Sequence, residues 1–376
     1  MEDFVHLHVH THYSILDGQS KVPHLVDKAI KDGMKGMAIT DHGVMYGIKE
    51  FSDYCAGVNK QRKADGLEPF KPIFGCEMYV AHHHKEDKNK EAGDKSGYHL
   101  IVLAKNYHGY KNLIKLVSRA WTDGYYYRPR TDRYDLEKYH EDLIVCSACI
   151  AGEVPSKILK GDIEGAKEAA RWYHRVFGDD YYLELQRHEV KDPNIRANRD
   201  TFPLQQRANA VLMKIAKEEG IKLVCTNDCH FEDKDTAEAH DHLLCLATGK
   251  DLDDPTRMLY TKQEWFKTQQ EMNDIFSDVP EALRNTQEIL NKVEIYSIDH
   301  GPIMPFFPIP ESFGTEEEWH KKFTEEQLFK EFTTDEHGEN PLPPDKAQAV
   351  IERLGGYDKI YRIKFEADYL AKLAYD

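Results

Sequence analysis

The chain has 376 residues, 31% of them charged and 40% hydrophobic, with a formal net charge of −16. That size admits an α/β barrel of about 250 residues with added segments, and no run of 18 apolar residues marks a membrane span. The acidic balance opposes non-specific nucleic-acid binding, so a phosphate-bearing substrate needs a local source of positive charge, and bound metal ions are the obvious one.

The first segment, FVHLHVH (4–10), reads as a strand with His6, His8 and His10 on one face. Six more strand signals follow: GMAIT (36–40), KPIFGCEMYV (71–80), HLIVLA (99–104), LIVCSAC (143–149), YYLELQ (181–186) and KLVCTND (222–228). Helical text separates most of them: PHLVDKAIKDG (23–33), with Pro23 at its start and Gly33 at its end, then 48–63, 109–121, 163–178 and 205–220. Strands alternating with helices predict parallel βα units. No Gly-rich loop follows the first strand, so the expected fold is a distorted seven-stranded (βα)7 TIM-like barrel rather than a Rossmann sheet.

Two stretches interrupt the alternation. HHHKEDKNKEAGDKSG (82–97) is polar and reads as a loop insertion, and TDGYYYRPRTDRYD (122–135) is aromatic and basic. Beyond residue 250 the alternation stops, which predicts a barrel over 1–250, a connector over 251–311 and a charged, helical extension over 312–376. VPEALRNTQEILNKV (279–293) and the Pro-rich GPIMPFFPIPE (301–311) fall in the connector; NPLPPD (340–345) breaks the extension. The seven cysteines, an odd count in a long chain, predict reduced thiols in the cytoplasm, and MEDFVHLHVH has no secretory-leader pattern.

Functional residues of α/β barrels sit at strand carboxyl ends. Reading those ends in order gives His8 and His10, Asp17 in the following loop, His42, Glu77, His99 near the start of its strand, Cys149, and Asp228 with His230. Five histidines, three carboxylates and one thiol form the ligand set of zinc and similar ions, and nine donors suit two or three ions rather than one. Close metal ions can activate a water and clamp the oxygens of a phosphoryl displacement. His6 reads as packed below the others and His12 as lying past the strand. His82, His83 and His84 read as a solvated loop. His240 and His242, two apart on a helix, point to different faces. Asp41 either orients a ligand or caps the turn.

HLHVHTHYSILDG, AITDHG, GCEMYVA, YHLIVLAKN, CSACIAGEVP and TNDCHF resemble, in order, the motifs of the polymerase and histidinol phosphatase (PHP) metallo-phosphoesterases. The resemblance covers roughly residues 4–311 and is closest to the PHP domains at the amino terminus of bacterial replicative polymerase alpha subunits. Those polymerases carry Asp and Cys, as at Asp17 and Cys149 here, where many stand-alone members have His. YLAKLAYD, at the end of the chain, resembles the first line of a polymerase palm, after an insertion without a match.

The resemblance implies three divalent metal ions, zinc first, with manganese or iron as alternatives. His8, His10, Glu77 and Asp228 would hold one, Glu77 with His99 and Cys149 a second, and Asp17, His42 and His230 the third. It implies 3′→5′ exonuclease proofreading of a single-stranded DNA end, with Asp17, His42, Asp228 and His230 as the catalytic set. The partners it implies are the remaining polymerase domains and other replicase subunits, and no membrane. The palm carboxylates would lie beyond this chain, since Asp233/Asp235 and Asp251/Asp253 stand in the wrong context. His12, Arg128, Arg130 and Arg133 are candidate substrate contacts, the arginines because guanidinium groups among tyrosines suit phosphates and unstacked bases. Two alternatives stand beside this function: a non-catalytic, metal-stabilised scaffold of the polymerase, and a free-standing histidinol-phosphatase-like enzyme.

Overall fold

KPIFGCEMYV, the longest strand signal, is the hub of the sheet. In the computed structural model, which describes residues 1–89, 96–190, 196–303, 307–334 and 340–375, it forms one ten-residue strand. The strands are β1 (Gly36–Ile39), β2 (Lys71–Val80), β3 (Tyr98–Ala104), β4 (Tyr125–Tyr126), β5 (Arg128–Thr131), β6 (Leu143–Cys146), β7 (Tyr181–Leu185) and β8 (Lys222–Cys225). Residues 90–95 of the expected loop insertion and 304–306 of the Pro-rich connector lie outside the described residues. The helices of this part are α1 (Val22–Lys31), α2 (Ile48–Ala64), α3 (Tyr107–Thr122), α4 (Arg133–Lys138), α5 (Glu153–Leu159), α6 (Ile163–Phe177), α7 (Arg196–Glu219), α8 (Ala237–Thr248), α9 (Gln269–Ile275) and α10 (Pro280–Lys292).

The strands pair in the order β4-β5-β2-β3-β6-β7-β8, with β1 also on β2. β1 runs parallel to β2, and β6, β7 and β8 run parallel to one another. β3 is antiparallel to both β2 and β6, and the short β4 is antiparallel to β5. The all-parallel arrangement expected from the alternation therefore fails at β3, and the unexpected β4 departs from it too. Among the described residues of the β2–β3 link there is no helix, and a parallel return requires a crossover, usually helical. The reversed direction also explains why His99 stands at the beginning of its strand: it pairs with Tyr79, near the end of β2.

Residues 4–10 are extended and buried but form no regular strand. On one side Ala38 N donates to His6 O (2.8 Å) and Thr40 N to Val9 O (2.8 Å). On the other, His10 N donates to Cys229 O (2.7 Å) and Cys229 N to His8 O (3.1 Å). The segment thus joins β1 to the chain leaving β8 and curls the sheet upon itself. Side chains replace the missing ladder: Phe4 N donates to Gln269 Oε1, Val5 N to Thr286 Oγ1 and Val9 N to Thr40 Oγ1.

Gln269 and Thr286 belong to the stretch expected to be a connector. Through residue 300 that stretch is part of the first compact unit, Met1–His300, and Phe266, Met272, Leu283 and Ile289 are buried in its core. The second unit, Gly301–Asp376, is described by itself. It has α11 (Glu316–Lys322), α12 (Glu325–Phe332), α13 (Pro344–Leu354) and α14 (Tyr357–Tyr375). Thr315 with Glu318, and Thr324 with Gln327, form reciprocal caps at the first two. Leu328, Ile351, Ile360 and Tyr361 form its small core.

Gln269 ties both ends of the first unit together, since its side chain also donates to Asp32 O (2.8 Å). Gln269→Ala leaves the buried Phe4 N–H unpaired, and stability falls by about 1–3 kcal/mol. The urea midpoint of the first unit's unfolding transition measures this.

Candidate metal centre

Glu77, on β2, is 1% exposed, and four histidines approach its carboxylate. His42 Nδ1 lies 2.5 Å from Oε2, His99 Nδ1 2.8 Å from Oε1, His8 Nε2 3.4 Å from Oε1 and His10 Nε2 3.6 Å from Oε2. Asp228 Oδ1 lies 3.0 Å from His8 Nε2 and 3.3 Å from His10 Nε2. Asp17 Oδ2 is 2.7 Å from His42 Nε2 and 3.6 Å from His230 Nε2. Cys149 Sγ is 3.7 Å from His99 Nδ1. The nine residues expected as ligands from the strand ends thus meet in one place. Eight of them form three donor groups, two of which share His10: His8, His10 and Asp228; Glu77, His99 and Cys149; His10, His42 and His230. Asp17 stands beside the last group, against His42 and His230.

Hydrogen-bond balance sets the imidazole tautomers. Ser14 Oγ donates its one proton to Asp41 Oδ1 (2.7 Å), so it accepts from His10 Nδ1 (3.0 Å). Asp41 in turn accepts from Thr11 N and Thr11 Oγ1, which makes it the orienting residue behind His10. His8 Nδ1 donates to Glu184 Oε1 (2.7 Å) and His230 Nδ1 to Asp228 O (2.8 Å). The Nε2 lone pairs of all three then face the centre, the arrangement that metal-ligating histidines require. Glu184 is fixed by Gln186 Nε2 (3.0 Å) and Thr226 Oγ1 (2.5 Å).

The donor set fits divalent ions on two further observations. Glu77 Oε2, Asp228 Oδ1 and His42 Nδ1 are buried without a well-aligned hydrogen bond, although His42 Nδ1 lies 2.5 Å from Glu77 Oε2 and His8 Nε2 3.0 Å from Asp228 Oδ1. Such crowding of donor atoms is costly unless a cation satisfies them. Five of the six spacings among His8, His10, Asp228 and Glu77, taking Glu77 Oε1 to His8 and Oε2 to His10, run from 3.0 to 3.6 Å. A tetrahedron with bonds of about 2.0–2.2 Å has edges of about 3.3–3.6 Å.

Charge is strongly coupled here. Burial pushes the Glu77 carboxyl up, but His99 and His42 outweigh it and hold it well below the usual range. Burial lowers His42, yet Glu77 and Asp17 raise it to about 10. Burial, then His42 and His230, bring His10 down to about 3. The carboxylates thus draw protons onto some of the imidazoles. A divalent cation takes over that compensation, because it binds neutral imidazole and ionised carboxylate.

Backbone strain collects in the same region. Leu16 (φ 62), Ala148 (φ 60) and Asp228 (φ 47) hold left-handed conformations, which cost of order 1 kcal/mol or more for such residues and cluster at functional sites. Two of them immediately precede residues expected as ligands, Asp17 and Cys149, and the third, Asp228, is such a residue.

Asp17, His42 and His99 open into a cleft of about 640 Å³. Arg128 lines that cleft, its guanidinium 5.6 Å from the centre of the Tyr79 ring. Arg130 does not reach it: it is fully buried and donates to Gly124 O, Lys85 O and Asp87 O. Arg133 pairs with Glu153 (2.7 Å) in a separate depression beside His82, His83 and His84. His12 is exposed, with Nδ1 3.3 Å from Ser20 O, and is not among the residues lining the cleft. His6 is buried, bonded to Lys267 O (2.8 Å) and facing Cys229 Sγ (3.4 Å).

Three residues of the site escaped the strand-end pattern. Glu184 and Gln186 lie on or just after β7, where alternation gives no sign that they point inward. Tyr260 comes from the stretch expected as connector, and its hydroxyl lies 3.3 Å from Asp17 Oδ1 and 3.2 Å from His230 Nε2.

Residues 6–188 of the chain match the family model described as the PHP domain. It is 42% identical over 327 residues to the DNA polymerase III subunit alpha of Borreliella burgdorferi, an alignment covering 86% of this chain and 27% of that one. It is 36% identical over 331 residues to that of Treponema pallidum, covering 88% of this chain and 26% of that one. The chain therefore spans about a quarter of the length of these relatives. Among solved structures, a two-domain protein from Bacteroides vulgatus containing a predicted PHP-like metal-dependent phosphoesterase overlaps 80% of this chain and 73% of its own, at 10% identity and a TM-score of 0.32. No helix among the described residues is long and apolar enough to cross a membrane.

If Glu184 orients a ligand, Glu184→Gln weakens divalent-metal affinity by roughly 10- to 100-fold while the far-ultraviolet circular dichroism stays unchanged. Calorimetric titration with Mn²⁺ or Zn²⁺ measures the affinity.

Proposed function

We propose that this chain is the metal-dependent phosphodiesterase region of a bacterial replicative polymerase alpha subunit, and that it removes nucleotides from a single-stranded DNA 3′ end. The convergence of nine donors on one buried centre at the edge of an open cleft carries this proposal. Divalent ions held there, two or three by the donor count, would supply charge neutralisation and a water acidic enough to ionise near neutral pH. His8, His10, Glu77 and Asp228 would hold one ion, Glu77, His99 and Cys149 another, and Asp17, His42 and His230 a third. Zinc suits this mixed N, O and S set, and manganese or iron are the alternatives.

The chain's own residues divide the remaining work. Glu184 and the Asp41–Ser14 pair orient His8 and His10. Asp17 and His42 are hydrogen-bonded to each other and line the cleft. Asp17, which has a second carboxylate oxygen, is the group placed to accept a proton from the attacking water and return it to the leaving oxygen, and His42 positions it. No Ser, Thr or Cys nucleophile is needed. The relatives' identity supports the remaining polymerase domains and replicase subunits as partners, in the cytoplasm, with the second unit as the start of the polymerase region.

Asp228→Asn keeps a residue tolerant of the left-handed backbone and removes the ligand charge. It should reduce release of a 3′ label from single-stranded DNA by at least about 100-fold. A digestion assay with metal analysis on the same preparation decides. Activity retained in Asp228→Asn rejects the site. Absence of activity in the metal-loaded wild type, with Tm falling on chelation, favours the scaffold alternative. Preferential hydrolysis of histidinol phosphate favours the free-standing phosphatase.

A further inference from the structure

The cleft above the metal centre has an unusual rim. Trp121, at the end of α3, and Tyr125, on β4, stack with ring centres 5.4 Å apart and planes 17° from parallel. Both stay open to solvent, at 41% and 49% exposure. Tyr46 and Tyr127 line the same cleft and are more than half exposed. The group is not loose: Trp121 Nε1 donates to Gly43 O (2.8 Å), next to the ligand His42, and β5 pairs with the end of β2. Tyr127 holds a left-handed φ of 61°. Exposed aromatic rings gathered at one place mark a binding surface rather than ordinary scatter. Among the described lining residues Arg128 is the only guanidinium or ammonium.

We propose that this rim is a stacking shelf for the last unpaired bases of single-stranded DNA, with Trp121 and Tyr125 under the bases and Arg128 at a phosphate. The proposal rests on the phosphodiesterase function above and adds the residues that set its preference for an unpaired end. Every base has a π-face, so such a shelf accepts any sequence. A paired base is stacked within its duplex and cannot use it without unpairing. One cation and several rings also suit a chain of net charge −16.

The test uses the 376-residue chain and two oligonucleotides, a thymidine 20-mer and the same strand with its three 3′-terminal positions abasic. Trp121→Ala with Tyr125→Ala should weaken binding of the thymidine strand, read by fluorescence anisotropy, by roughly 10- to 100-fold. It should leave binding of the abasic strand unchanged within about two-fold. Trp121→Phe restores most of the loss, because it keeps a ring. Tyr125→Ala alone, on the exposed side of the pair, should give a smaller loss in the same direction. Equal losses on both strands, or none on the thymidine strand, overturn the shelf. Because the readout is binding, a wild type that binds with this selectivity but hydrolyses nothing refutes the phosphodiesterase function and not the shelf.

Discussion

Glu77 is the constraint around which the first unit is built. An ionised carboxylate removed from water costs several kcal/mol unless it is paired and hydrogen-bonded. Here four imidazoles from three different parts of the chain close around it. Each must arrive on its own element: His8 and His10 on the amino-terminal segment, His42 after β1, His99 on β3. The curl of the sheet brings those elements together, so folding of the unit and assembly of the centre are one event. The reversed β3 serves the same end, since only an antiparallel neighbour brings the first residues of its strand beside the last of β2.

The residues that meet at the centre were legible in the sequence because most lie near the end of a strand signal, His99 at the start of its own, and because their types are costly to bury without a purpose. β2 and β3 were legible to within one residue for a simpler reason, as continuous apolar runs between polar flanks. Strand direction was not legible. Periodicity reports which face a residue takes, not which neighbour it pairs with, and β3 carries no mark of its reversal. Residues 4–10 have strand text, yet several of their amides go to side chains from α9, α10 and the end of β1, partners that only tertiary structure supplies.

Arg130 and two residues that the sequence did not single out, Glu184 and Tyr260, share one cause: a polar group is held in place by neighbours that only the fold supplies. Arg130 has the composition of a phosphate contact, but three backbone carbonyls converge on its guanidinium. One of them belongs to Gly124, where a Cβ would stand 1.9 Å from Arg130 O. The close approach that traps the arginine thus depends on a glycine six positions away. Glu184 is the converse, a strand glutamate that alternation would place in solvent and that Thr226, Gln186 and His8 hold inside. Tyr260 follows the same logic at greater distance, since the stretch that carries it folds back against the chain leaving β8 through Phe266 N and Phe231 O.

The distribution of charge gives the site its character. The chain as a whole repels a polyanion, while the centre gathers carboxylates and imidazoles that a cation would neutralise. Attraction for a nucleic-acid end must then be local and short-ranged, since the Debye length at physiological salt is about 8 Å. Bound ions would act on the phosphate at the centre, and rings would act on the bases at the rim without regard to charge. A basic groove would hold any phosphate backbone, paired or not, all along its length. An acidic body with the proposed metal floor and aromatic rim would favour only an end whose bases are free, and that selectivity is what the proposed removal of a mispaired terminal nucleotide would require.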